Sequence, residues 1–171
     1  VDICYLYKTR SSATLCLKKE AVARNPEDQC QISNPSVSYS NTDAPVSITD
    51  VKQESSGKNE VSLTFTIKNN GEGDVYPKET FSNQCILVAD KRNRLDVTVT
   101  AGSQRLPIRC SKLGNSHTGD LRLIQNENTV TCSIDTSNIQ DTAFTTQFAI
   151  DLDYFYKFRR SQDLTVEATT Q

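Results

Sequence analysis

The residues of this chain best suited to covalent chemistry are its six cysteines, Cys4, Cys16, Cys30, Cys85, Cys110 and Cys132. An even number suits a disulfide framework, and disulfides persist outside the reducing cytosol. None has the Cys-x2-Cys spacing of a zinc ribbon or a thioredoxin-type site. Six cysteines allow fifteen connectivities, so spacing alone leaves the pairing open. Cys110 and Cys132 lie at matching places in neighbouring strand patterns and are the first pair to expect. Cys16 with Cys30 would close the N-terminal segment, and Cys4 with Cys85 would pin the extreme N-terminus to the body. Closing a loop the size of 110–132 is worth about 3 kcal/mol in the chain-entropy view.

The other candidates for chemistry are few. His117 is the single histidine; it lies in a polar loop beside Ser116 and Gly119, with no Gly-x-Ser-x-Gly elbow to serve. It reads as a solvent-exposed side chain. Asp151 and Asp153 share one strand face about 7 Å apart, a separation that a pair of glycosidase carboxylates can use. A polar face balanced by Lys157 and Arg159 accounts for them better. Gly71-Glu72-Gly73 is a turn, since neither Gly-x-Gly-x-x-Gly nor a P-loop is present. Asn70, Glu72 and Asp74 do not follow the calcium-loop pattern. The expectation is a protein that is not an enzyme, with no catalytic, cofactor-binding or metal residues and no cofactor.

Bulk properties narrow the class further. The net charge of −2 offers no basic stripe for nucleic acid. A membrane span needs about 20 apolar residues, whereas the longest apolar run is Cys85 to Ala89. The chain starts at Val1 and contains no Met, which predicts a processed N-terminus behind a removed signal segment. No Asn-x-Ser/Thr acceptor occurs, so N-glycosylation is not required, and O-linked sugars on Ser and Thr stay open.

The elements that position these residues are strands. Val61, Leu63, Phe65 and Ile67 alternate with polar residues, as do Leu95, Val97 and Val99, then Leu106, Ile108 and Cys110, and then Val130, Cys132 and Ile134. Leu121 and Leu123 form a short strand. The longest runs from Phe148 through Ile150, Leu152, Tyr154 and Tyr156 to Phe158, and Leu164, Val166 and Ala168 close the chain. Val46, Ile48 and Val51 open the series. Leu63, Phe65, Ile67, Val97, Ile150, Leu152 and Tyr154 are the expected core, with a bulge able to shift parity within the last long strand. Ala101-Gly102-Ser103 reads as a hairpin. Asn70-Gly71 reads as a reversal favoured by residues that tolerate positive φ. Lys18 to Arg24 has room for a turn or two of helix before Asn25-Pro26.

Many short strands with regular turn signals predict an all-β, immunoglobulin-like antiparallel sandwich over residues 46–171. Residues 1–45 hold half the cysteines and weaker alternation, and read as a disulfide-stapled extension. Within it Ile3, Tyr5 and Tyr7 form one strand pattern, and Ala13, Leu15 and Leu17 another.

The stretch Val61-Ser-Leu-Thr-Phe-Thr-Ile-Lys-Asn-Asn-Gly-Glu-Gly-Asp-Val-Tyr76 resembles the second strand and turn of CARDB-like immunoglobulin-fold domains of archaeal and bacterial surface proteins. The layout is similar to secreted archaeal proteins with a Cys4-Tyr5-Leu6-Tyr7 segment, a cysteine-bearing strand at 13–17 and a Tyr-rich strand at 153–156. The resemblance implies an extracellular or cell-surface module and brings no catalytic residues with it. Two functional expectations follow. One is a structural filament subunit whose partners are copies of itself, joined head to tail by strand addition through Ile3, Tyr5, Tyr7, Leu15 and Leu17. The other is a monomeric adhesion module that binds glycan or protein through loops at one end of the sandwich, for example 69–84 or 111–120, with exposed aromatic side chains around Tyr76 and Phe81 supplying contacts. Both segments of the N-terminal region pairing within their own chain is the alternative to donation.

Overall fold

The computed structural model describes residues 2–23, 25–32, 37–81, 85, 89–102, 106–140 and 142–161. The strand expected at Leu164, Val166 and Ala168 lies outside the described residues. Ten strands are present among them: β1 (Asp2–Leu17), β2 (Tyr39–Asn41), β3 (Val46–Gly57), β4 (Glu60–Asn69), β5 (Asp74–Tyr76), β6 (Arg94–Ala101), β7 (Ile108–Cys110), β8 (Thr118–Arg122), β9 (Glu127–Asp135) and β10 (Phe144–Arg159). One sheet runs β2-β1-β10-β6-β8, with β5 also paired to β10; the other runs β3-β4-β9-β7. Every pairing is antiparallel. The protein is an all-β sandwich.

Period-two alternation explains the layers. Leu63, Phe65, Ile67, Val97, Ile150, Leu152 and Tyr154 are all buried in the core between the sheets. The outer face of the second sheet carries paired threonines instead: Thr64 with Thr131 at 3.2 Å and Thr66 with Thr129 at 2.9 Å. Such directly opposed pairs suit a solvated face. Parity does not slip in β10, whose pairing with β1 is continuous from end to end. It slips in β3, where Asp50 adopts φ 51° and the register shifts between Thr49 and Lys52. That bulge returns Val51 to the core side after Val46 and Ile48.

Three sequence expectations need correction. Ser103 of the expected Ala101-Gly102-Ser103 hairpin lies outside the described residues, and β6 and β7 do not pair as a hairpin would, because they belong to opposite sheets. Alternation reads alike whether the next strand lies beside or across. The stretch from Lys18 has turns and bends but no helix among the described residues; the only helical turns described are 3-10 turns at Lys78–Thr80 and Ala89–Lys91. The two short N-terminal strand patterns form one strand, β1. Its centre is masked in sequence because the core-facing residues there, Thr9 and Ser11, are polar. They are only 0% and 1% exposed, and each is satisfied: the Thr9 hydroxyl donates to Val46 O and Ser11 Oγ to Ser40 O. The stapled N-terminal region therefore shares one core with the rest, since Ala13, Leu15 and Leu17 pack in the same cluster as Leu63 and Ile150.

The 69–74 turn owes its glycines to close approach. Neither Asn70 nor Gly71 adopts positive φ. A Cβ on Gly71 would lie 2.0 Å from the Tyr156 hydroxyl oxygen, and one on Gly73 would lie 2.4 Å from Lys157 O. The Tyr156 hydroxyl accepts the Gly73 N–H at 2.7 Å, while Asn69 Oδ1 accepts the Gly71 N–H and its amide donates to Gly73 O. The motif is a cradle for a tyrosine of the last strand.

Leu63→Ala should lower stability by about 2–5 kcal/mol in urea unfolding. Gly71→Ala should also destabilise, and that loss should shrink sharply in a Tyr156→Phe background, which removes the clashing oxygen. Additive losses in this double-mutant cycle would refute the cradle.

Candidate assembly site on the first strand

β1 begins the described chain, yet it lies inside the larger sheet. It pairs with β10 through sixteen consecutive residues, from Asp2 opposite Arg159 to Leu17 opposite Phe144. On its other side it pairs, among the described residues, with the three residues of β2. Immunoglobulin-like sandwiches set an A-B-E-D sheet against C′-C-F-G. Here β3-β4-β9-β7 takes the place of the first and β8-β6-β10-β1 that of the second, save that β8 follows β7 in the chain. In this correspondence β1 stands where a sandwich of this kind carries its last strand, G.

The side chains of β1 divide by parity. Ala13, Leu15 and Leu17 face inward and are buried. Tyr5 and Tyr7 are partly buried against the core edge. The Cys4-to-Tyr7 and Asp153-to-Tyr156 motifs meet directly, Tyr5 opposite Tyr156 and Tyr7 opposite Tyr154. Tyr7 stacks on Tyr154 with centroids 5.7 Å apart, and Tyr5 meets Tyr7 edge-on at 4.9 Å. Aromatic pairs of this kind add about 0.5–1.5 kcal/mol each. The buried Tyr154 hydroxyl lies 3.1 Å from Thr9 Oγ1 and accepts from Val46 N, and burial pushes its pKa up to about 12. Of the five expected anchors, four therefore pack on the chain's own sandwich, Leu15 and Leu17 completely; Ile3 alone is exposed, at 44%. They do not lie free for a neighbour in the closed chain, because β10 already pairs along their whole strand.

The outward face of β1 reads its partner by charge. Asp2 pairs with Lys157 and Arg159, Lys8 with Asp153 and Asp151, and Arg10 with Asp151 through two bonds of 2.7 and 2.8 Å. The polar face expected around Asp151 and Asp153 is thus a two-strand ladder that completes its balance from β1. A slip of a few residues sets unlike partners apart, so the ladder fixes register. Farther along, Phe155 faces outward yet is fully buried, beneath Tyr76 and Phe81. These two aromatics were expected as exposed binding groups. They cover Phe155 instead, and Tyr76 is only 2% exposed.

The cysteines pair as Cys4–Cys85, Cys16–Cys30 and Cys110–Cys132. Cys110 and Cys132 are directly opposite in β7 and β9. Cys16–Cys30 ties the loop after β1 back to that strand. The same loop carries Lys18 and Asp28, a nearly dry ion pair at 2.6 Å beside a cavity of about 130 Å³. Gln53 of β3 brackets the strand end from the other sheet, accepting from Cys16 N and donating to Cys16 O. Sequence reasoning overlooked Gln53; its one signal was a polar residue on the inward parity restored by the Asp50 bulge.

The remaining candidates are not assembled into a site. His117 is exposed in its loop, where its carbonyl accepts the Val99 N–H. Asp74 is held by Arg92. Among the described residues no group of three or more His, Cys, Asp or Glu is placed to hold a metal ion, and no helix is long and apolar enough to cross a membrane. The three disulfides place the folded chain outside a reducing cytosol. No known protein family, curated protein or solved structure matches the chain.

The outer face also holds one electrostatic conflict. Asp96 of β6 lies directly between Asp153 of β10 and Asp120 of β8. Burial raises its pKa, and Glu79, Asp120 and Asp153 raise it further. The hydrogen bond from Arg10 instead holds Asp151 below the usual carboxylate range. The two groups act with opposite sign. Ionised Asp96 penalises the fold above its raised pKa, and the penalty vanishes below the unfolded value. Asp151 stabilises above the unfolded value, and that contribution is lost as pH falls through its depressed pKa. Asp96→Asn should therefore raise the melting temperature at neutral pH and Asp151→Asn should lower it, both differences fading in strong acid. Thermal melts across pH check this; a neutral-pH loss in Asp96→Asn would contradict it.

Proposed function

We propose that the protein is an extracellular structural subunit whose copies join by strand addition, β1 of one copy completing the sandwich of the next. The observation that carries this reading is the seat of β1. Among the described residues the first strand, β1, takes the place that strand G has in a sandwich of this kind, and its recognition elements all lie within one strand of sixteen residues: inward Leu15, Leu17 and tyrosines, outward alternating charges. An element of that kind can serve its own sheet or a neighbour's with the same contacts. A head-to-tail exchange propagates into a filament rather than closing. The likeness of 61–76 to CARDB-like surface domains is in keeping with this role.

The donated unit would extend beyond β1. Because Cys16–Cys30 ties the following loop to the strand, residues 2–30 would travel together, a longer piece than β1 alone. The loop brings docking bonds of its own: Ala21 N donates to Lys58 O and Lys19 N to Gln140 O.

A second reading, a monomeric adhesion module that takes a glycan or protein ligand, is favoured by the complete pairing of β1 within one chain. Size and shape separate the two. Oxidative refolding of the full chain at rising concentration should give a rising share of polymers in size-exclusion chromatography and threads in negative stain. A compact monomer at every concentration would favour the module.

A further inference from the structure

Only one of the three bridges joins β1 to the body of the sandwich. Cys110–Cys132 links two strands of the body, and Cys16–Cys30 lies within the first thirty residues. Cys4–Cys85 instead spans 81 positions, from the outer face of β1 to a residue that follows Phe81 in the chain. We propose that in the assembled state the Cys4–Cys85 bond is the covalent seam between neighbouring copies, Cys4 coming from one chain and Cys85 from the next. This rests on the strand-addition reading above.

The noncovalent contacts of β1 position the Cys4 sulfur before the bond forms. Cys4 lies opposite Lys157, between the Asp2–Arg159 ion pair and Leu6, which sits opposite Phe155. The charge ladder selects this register, so a donated β1 delivers Cys4 to the same place that its own chain does. Both cysteines are only half-buried, open to an oxidant. Cys85 holds a left-handed φ of 53°, a conformation uncommon for residues other than glycine.

The chemistry balances with an external disulfide carrier, such as an oxidised dithiol protein or small disulfide of the secretory compartment. The Sγ–Sγ bond forms between Cys4 and Cys85. The carrier's own S–S bond breaks, and it takes the two electrons and two protons as its reduced dithiol. The seam lies near the Asp2 end of β1, while tension along a filament enters past Cys30, which Cys16 ties to the Leu17 end of the strand. Peeling from Leu17 breaks pairs one at a time, and Cys4 keeps the strand from leaving once they have opened.

The test uses the full chain, prepared unlabelled and uniformly labelled with heavy nitrogen. The two are mixed reduced, assembled under oxidation, blocked with a thiol alkylator and digested at acid pH without reductant. Interchain seams give Cys4–Cys85 peptides with one light and one heavy half, as abundant as both pure forms together. Cys16–Cys30 and Cys110–Cys132 peptides stay pure and control for scrambling. Boiled in detergent without reductant, the polymers should run as a ladder that collapses to the 19.1 kDa chain on reduction. The variant with both Cys4→Ser and Cys85→Ser should still form threads but fall to single chains on boiling. Threads in which Cys4 and Cys85 are recovered alkylated, as free thiols, would overturn the seam and leave strand addition standing, whereas threads with only pure Cys4–Cys85 peptides would show β1 seated in its own chain and overturn both. Absence of any polymer would overturn both.

Discussion

The pairing of β1 with β10 is the interaction on which the rest of this structure depends. It completes the larger sheet, so the inward faces of both sheets have a full surface to pack against. It buries Leu15 and Leu17 beside residues far along the chain. It brings Asp2, Lys8 and Arg10 to the carboxylates and cations of β10. The tyrosines of the two strands stack only because the register sets them opposite one another. Without β1 the sheet has an open edge along β10, and open edges recruit strands.

Other features hold β10 in place to receive that strand. The Asn69-to-Gly73 turn grips the Tyr156 hydroxyl, and Tyr76 and Phe81 close over Phe155. Gln53 reaches from the opposite sheet to the end of β1 and satisfies the Cys16 backbone. These contacts have no evident chemistry to perform on a small molecule. They build a rigid, register-specific slot for one extended segment, which is the property that the assembly proposal uses.

A closed monomer and an exchanged filament contain the same strand contacts, so contact energy barely distinguishes them. What differs is the entropy of the connection and the concentration of neighbours. The closed chain has the advantage of a high effective concentration of its own strand; a crowded surface gives neighbours the opportunity to compete. A disulfide set outside the reducing cytosol would then fix whichever partner was in place when the bond formed.

The sequence by itself determined the two-residue period, and with it the all-β class and the inward faces of β4, β6, β9 and β10. Alternation is a local property, set by successive side chains pointing to opposite sides of a strand. The cysteine count and the absence of paired metal-ligand spacings were equally local and legible. Tertiary structure alone decided which strands are neighbours, because a turn looks the same whether it folds back or crosses between sheets, as the chain does between β6 and β7. It alone revealed β1 as one strand, since Thr9 and Ser11 lie on the inward face through hydrogen bonds to Val46 and Ser40 that no pattern displays. It also gave Gly71 and Gly73 their reason, a ring from a residue more than eighty positions away. Finally, it placed Asp96 between two other carboxylates. Register sets that neighbourhood, and register is a relation between strands that no single strand contains.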